Sequence, residues 1–229
     1  MERYSKITNK NQREIVLLKA FPCKWGKCAF CDYIDDNARD EEEINAINEE
    51  VLSNITGEFG VLEVINSGSC FEIPDKTLEM IRTIIQEKNI KHLFFEAHWI
   101  YRNRLEIMKA YMGIPISFKI GVESFDYDFR ENYLNKNAKF KEPKEVSRYF
   151  ASVCLMVGIK GQTREMIDKD IETMLTHFER GTVNVFVNNT TQIRRDDELV
   201  EWFCEKYAFL DENPKVEVLY NNVDFGVGD

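Results

Sequence analysis

No hydrophobic run in these 229 residues approaches the roughly 20 needed for a helix to span a bilayer. The opening stretch MERYSKITNKNQRE lacks both the apolar segment and the small-residue cleavage site of a secretory signal, so the expected compartment is the reducing cytoplasm. No Gly-, Ser- or Pro-rich linker and no internal repeat interrupts the chain, and residues 1–229 are expected to form a single domain. An excess of positive charge is missing too: 30 basic against 40 acidic residues leave a net charge of -10. Proteins that grip a nucleic-acid backbone supply Lys and Arg to displace counterions, so long RNA or DNA is not the expected partner. Histidine is scarce, at three residues, and no second close pair of Cys or His follows the cysteines at zinc-finger or ribbon spacing.

What is present suits a sizeable core, with 44% hydrophobic and 12% aromatic residues. Apolar runs alternate with helical patterns. EIVLLKAF (14–21), VLEVIN (61–66), HLFFEA (92–97), ISFKIGVES (116–124), SVCLMVGI (152–159), VNVFVNN (183–189) and VEVLYNN (216–222) read as strands. Between them, residues 40–57, about 74–88, 164–178 and 196–209 carry apolar positions at helical spacing. Continuously apolar strands separated by helices point to parallel strands with crossover helices. The expected fold class is α/β, a partial (β/α) barrel of six or seven parallel strands. In such folds ligands gather beyond the carboxyl ends of the strands. Those positions hold Cys23 to Cys31, Asn66 to Glu72, Glu96 to His98, Glu123, Gly158 to Gln162, Asn188, Asn189, Asn221 and Asn222.

The segment FPCKWGKCAFCDY (21–33) carries three of the six cysteines, Cys23, Cys28 and Cys31. Thiolates are soft ligands for zinc or iron-sulfur clusters, and a short loop carrying three of them reduces the entropy lost on ordering a metal site. The spacing also matches that of plant-type ferredoxins, whose [2Fe-2S] cluster takes a distant fourth cysteine, for which Cys70 is available. Cys154, inside a strand, and Cys204, on a helix, read as small apolar packing residues. Three thiolates on a four-iron cubane leave one iron open to a small ligand, much as catalytic zinc keeps a position free.

On these residues the chain resembles the radical S-adenosylmethionine (SAM) superfamily, whose members carry three cysteines on the loop after the first strand of a partial barrel. The spacing here, C-x4-C-x2-C, has one residue more in its first gap than is usual there. The resemblance implies a [4Fe-4S] cluster on Cys23, Cys28 and Cys31 and SAM bound to the open iron, with reductive cleavage to a 5'-deoxyadenosyl radical. Phe30 matches the hydrophobic residue that approaches the adenine. NSGSCFE (66–72) looks like the glycine-containing segment that receives the SAM amino group, with Ser67, Gly68 and Ser69. GVES (121–124) places Glu123 where a family acid faces SAM. LMVGIKGQTRE (155–165) resembles the turn supporting the adenine, with Gly158 and Gly161. Plain readings stand beside these: turn glycines, a surface acid at Glu123, a hydrogen-bonded cap at His98, and solvated charges at Arg194 and Arg195.

Within the superfamily, the compact size and the NSGS segment are most like the lyases that release queuine, a 7-deazaguanine base, from queuosine or its 5'-phosphate. In that reading a ribose hydrogen is abstracted and fragmentation expels the base. Asn66, Glu96, His98, Asn188 and Asn189 are the candidates for the substrate's polar edges, and Lys24, Arg194 and Arg195 for a phosphate. A one-electron donor such as flavodoxin or ferredoxin is then the implied partner, and the catalytic proton or hydrogen donor stays unassigned. Three other readings stay open: radical SAM modification of another nucleotide or tRNA base, a [2Fe-2S] electron carrier, and a zinc-stabilised binding module.

Overall fold

The strand that leads into the cysteine segment, β2 (Arg13–Leu18), is buried at all six positions. In the computed structural model, which describes residues 2–221, the chain separates into two units interleaved in sequence. The first holds the residues up to Gly26 together with Tyr33–Phe118, and the second holds Lys27–Asp32 and the residues from Lys119 on.

In the first unit, β1 (Tyr4–Ile7) pairs antiparallel with β2, and β2, β3 (Val61–Asn66) and β4 (His92–Glu96) pair in parallel. The parallel strands are those read from the sequence. β1 is additional: YSKI is short, half-polar and only half-buried, so no period-2 signal marks it, and backbone pairing to the edge of β2 is what defines it. Two buried acids sit in this unit's sheet. Arg13 pairs with Glu63. The Glu14 carboxylate accepts from the Tyr4 hydroxyl, the Thr56 hydroxyl and the backbone N–H groups of Thr56 and Gly57. Burial opposes its charge, yet these donors hold its pKa below the ordinary carboxylate value.

α1 (Glu41–Leu52) starts at Asp40, whose side chain accepts from the N–H groups of Glu42 and Glu43. It stops at Leu52, five residues short of Gly57, because Asn54 turns its amide onto the Glu50 and Val51 carbonyls. Asn48 on this helix is buried. It accepts from the Lys19 N–H at 2.8 Å and donates to the Lys19 carbonyl at 2.9 Å and to Thr77 of α2 (Asp75–Glu87) at 3.1 Å. The exit of β2 is thus clamped to α1 just before the cysteines begin. A short 3-10 turn (Trp99–Arg104) and α3 (Leu105–Met112) follow β4.

β5 (Ile116–Glu123) starts in the first unit and belongs to the second from Lys119 on, where β5, β6 (Ser152–Val157), β7 (Arg180–Val185) and β8 (Val216–Leu219) pair in parallel, with a register shift between Gly121 and Glu123. α4 (Pro143–Ser147), α5 (Arg164–His177) and α6 (Asp197–Lys206) lie between the strands, the last two capped by the side chains of Thr163 and Asp196. β7 ends at Val185, so Asn188 and Asn189 lie on the loop beyond it and not in the strand. Of the expected strand-end residues, Asn222 lies outside the described residues. Arg130 is 1% exposed and gathers the segment between β5 and α4. Its guanidinium donates to the carbonyls of Ser124, Phe125, Ala138 and Phe140 and lies 3.8 Å from the Phe140 ring centroid. Among the described residues, no helix is long and apolar enough to cross a membrane.

Asp170 of α5 is 2% exposed. Its Oδ1 accepts from the Phe125 N–H at 2.6 Å, whereas Oδ2 has no partner among the described residues. Burial pushes its carboxyl pKa up to about 7, against restraint from the Phe125 N–H, Ser124 and Arg130. The folded state therefore holds this proton where the unfolded chain has released it, and stability falls as pH rises from about 4 to about 7. Asp170→Asn, which keeps the acceptor for Phe125, is expected to stabilise the protein by about 1 to 3 kcal/mol above pH 7, with the gain vanishing below about pH 4. Thermal unfolding across that range checks this. An unchanged or lower Tm at pH 8 would contradict it.

Candidate active site

The cysteine segment has only turns of its own, and each part is held by side chains and loops of its own unit. In the first unit the Cys23 N–H donates to Asn37 Oδ1 at 3.3 Å, and the Asn37 amide donates to the Ser67 carbonyl and hydroxyl, both at 2.9 Å. The Lys24 N–H donates to the buried Glu72 carboxylate at 3.2 Å. That carboxylate also accepts from the Ser69 N–H at 2.5 Å and the Tyr101 hydroxyl at 2.7 Å, while the Phe21 N–H reaches the Glu72 carbonyl at 3.0 Å. Burial, and then the bond to Glu72, push the Tyr101 phenol well above its ordinary pKa. Glu72 thus ties the cysteine-bearing chain to the loop after β3.

That loop brings together several expected residues. Gly68 is placed so that a Cβ would lie 3.1 Å from a Glu72 oxygen and 3.5 Å from the Cys23 Cβ. Asn66 is 5% exposed and donates to the Ser69 carbonyl at 3.1 Å, leaving Oδ1 as a buried acceptor with no partner among the described residues. His98 joins them: its N–H donates to the Ser69 hydroxyl at 2.9 Å, and its Nδ1 accepts from the Ile100 N–H at 3.3 Å. Glu96 is half-buried at the end of β4. Lys24 is exposed, its ammonium 5.7 Å from the Tyr101 ring centroid. Cys70 is fully buried, and burial followed by the Glu72 charge pushes its thiol pKa far up, which disfavours the thiolate that a fourth ligand requires.

In the second unit, Cys28, Ala29 and Cys31 pack against an apolar cluster that includes Phe30, Phe129, Leu134, Met156 and Phe186. The Ala29 N–H donates to the Leu134 carbonyl at 2.8 Å, and the Asn135 and Asn189 amides donate to the Lys27 and Phe30 carbonyls, both at 2.7 Å. Glu123 ends β5 in the left-handed region at φ 68°, a costly conformation for a residue with a Cβ. Its carboxylate pairs with the Lys136 ammonium at 2.6 Å. Gly158 and Gly161 adopt φ values of 83° and 96°, open to glycine without strain, and a Cβ on Gly158 would collide with Val200 of α6. Gln162 closes this turn through Ile159 and Met156. Asn188 accepts from the Arg195 N–H. Arg195 pairs with Asp197 and donates to the Phe186 carbonyl, and Arg194 donates to the Thr191 and Ile193 carbonyls. Both arginines therefore brace the loop that carries them.

Among the described residues, no three Cys, His, Asp or Glu side chains converge on a single metal ion. A cubane places each of its thiolates on a different iron, so convergence on one point is not what it requires. The donor set fits such a cluster: three soft thiols on one loop, two of them in apolar surroundings. The buried unpartnered Asn66 oxygen fits a small polar ligand carrying a hydrogen-bond donor.

These features define a chain of radical SAM type, and comparison with solved structures agrees. A radical SAM methyltransferase from Sphaerobacter thermophilus superposes with a TM-score of 0.63, covering 92% of this chain and 67% of that one at 14% identity. At that identity the likeness concerns the fold alone, the α/β partial barrel expected from the sequence. A queuine lyase from Clostridium spiroforme, solved bound to SAM and queuine, matches 100% of both chains at 54% identity with a TM-score of 0.97. The chain belongs to the queuine lyase family. No protein-family model and no curated protein matches it.

Glu72, Tyr101, Asn37 and Lys136 were not singled out from the sequence. Glu72 lies inside the NSGSCFE segment and is its one acid, but nothing in spacing tells a buried carboxylate with three donors from a solvated one. Glu72→Gln retains the shape but turns one acceptor oxygen into a donor facing donors. It is expected to cost about 1 to 3 kcal/mol, and Tyr101→Phe about 1 kcal/mol, in urea-denaturation midpoints. Wild-type stability in Glu72→Gln would contradict the network.

Proposed function

We propose that this chain is a radical SAM lyase that releases queuine from queuosine or its 5'-phosphate. The observation that carries the reading is the full-length, 54% identical match to a queuine lyase solved with SAM and queuine. Cys23, Cys28 and Cys31 would hold the [4Fe-4S] cluster, which when bound supplies the electron that cleaves SAM and so provides the radical that initiates base release.

This chain's residues supply binding, orientation and exclusion of water. Phe30 would meet the adenine, and the Ser67–Gly68–Ser69 loop, braced by Asn37 and Glu72, would present polar groups to the methionine end of SAM. Glu123, held by Lys136, and the turn with Gly158 and Gly161 complete the proposed SAM contacts. For the substrate we assign Asn66, Glu96, His98, Asn188 and Asn189 to polar edges of the deazaguanine nucleoside. The unpartnered Asn66 oxygen supports its place there, because a buried acceptor left unpaired costs about 1 to 3 kcal/mol until a ligand donor meets it. Lys24, Arg194 and Arg195 are the cations assigned to a 5'-phosphate. The implied partner is a one-electron donor such as flavodoxin or ferredoxin, and a reducing cytoplasm suits thiols that must stay reduced.

The test is anaerobic incubation of the iron-reconstituted protein with SAM, dithionite and queuosine or its 5'-phosphate, followed by chromatography. Free queuine and 5'-deoxyadenosine in comparable amounts are expected, and Cys28→Ala should abolish both. Production of 5'-deoxyadenosine without free base would contradict the substrate assignment and favour another nucleotide.

A further inference from the structure

The segment Leu134–Asn137 is built in an unusual way. Asn135 and Asn137 both occupy the left-handed region, at φ 51° and 55°, and Lys136 stands between them. Asparagine tolerates that conformation better than other residues with a Cβ, so the N-K-N sequence is suited to this bend. The segment is fastened on both sides. The Leu134 carbonyl accepts from the Ala29 N–H at 2.8 Å, the Asn135 amide donates to the Lys27 carbonyl at 2.7 Å, and the Lys136 N–H donates to the carbonyl of the buried Arg130 at 3.0 Å.

The bend delivers an ammonium into largely buried surroundings, where the Lys136 side chain is 12% exposed and its partner Glu123 6%. The ammonium lies 5.3 Å from the Phe30 ring centroid, and Phe30 sits between Cys28 and Cys31. The Glu123 carboxylate, 2.6 Å from the ammonium, compensates the cost of burying that charge. Two further features preserve this pair. A Cβ on Gly121 would collide with the Glu123 carboxylate and lie 3.0 Å from the Lys136 nitrogen, and Glu123 itself is held in a strained conformation at the strand bulge. In a chain of net charge -10, a lysine buried at this place needs a reason beyond solubility.

We propose that Lys136 is an electrostatic positioning residue for the cluster, its fixed positive charge over the ring of Phe30, the residue between Cys28 and Cys31, raising the reduction potential of the irons these thiols would ligate. This rests on the cluster assignment made above. Reduction adds negative charge to the cluster, so a nearby cation in a low-dielectric setting favours the reduced form. The effect should follow charge, which Lys136→Arg keeps and Lys136→Met removes.

The experiment is an EPR-monitored redox titration of the reconstituted protein, with iron content measured in parallel. Lys136→Met is expected to shift the midpoint to a more negative potential at unchanged iron content, and Lys136→Arg to stay near wild type. Because Lys136→Met leaves the Glu123 carboxylate unpaired, the pair Glu123→Gln and Glu123→Gln/Lys136→Met provides a second comparison, in which the double variant should have the lower midpoint. Coincident midpoints in that pair, or in wild type and a fully loaded Lys136→Met, would overturn the inference while leaving the proposed function intact. A wild-type protein that holds no four-iron cluster would instead refute the proposed function, and this inference with it.

Discussion

The structure depends on how a segment with no helix or strand of its own is made rigid. A loop with unpaired backbone groups would be free to move, and thiols on a mobile loop do not form a defined cluster site. Here the backbone of residues 21–30 is held by partners from within each unit: Asn37 and Glu72 in the first, Leu134, Asn135 and Asn189 in the second. Four of these five act through a side-chain amide or carboxylate. The loop's conformation is therefore specified by polar groups far away in sequence, and in the second unit Cys28, Ala29 and Cys31 also pack against the apolar cluster around Phe30.

The same partners link the loop to the residues assigned to SAM. Glu72 bonds Lys24 next to Cys23 and also the Ser69 N–H, and Asn37 bonds Cys23 and also Ser67. The first thiol and the loop after β3 are in this way set by two shared side chains. In the second unit, the segment that receives Ala29 and Lys27 also carries the lysine paired with Glu123. Each unit thus fixes its thiols and its proposed cofactor contacts with one set of bonds. This economy fits a chain of 229 residues that has little beyond the sheet and its covering helices.

Much of this was legible in the sequence, and the reasons differ by feature. Strands β2 to β8 announce themselves as apolar runs, and the cysteine spacing is chemically distinctive whatever the fold. Asn66 and the Ser67–Gly68–Ser69 loop stand where they were expected, at and beyond the carboxyl end of β3. Edge strand β1 was not legible, because a four-residue half-exposed strand is defined by its partner and not by its own pattern. Asn37 and Lys136, and the bonding role of Glu72, were missed for a related reason. A buried polar residue is recognised by what it bonds, and the Glu72 carboxylate reaches a partner 48 positions away. The signal for Lys136 was present but faint, in the two asparagines that flank it.

The central claim is that this clamped loop presents three thiolates to a cubane and leaves one iron for SAM. The most direct measurement is the EPR spectrum of the anaerobically reduced, iron-reconstituted protein before and after addition of SAM. The expected result is a [4Fe-4S]⁺ signal whose g-values shift when SAM is added and which disappears in Cys23→Ala. A four-iron signal indifferent to saturating SAM, or a [2Fe-2S] signal in its place, would contradict the account.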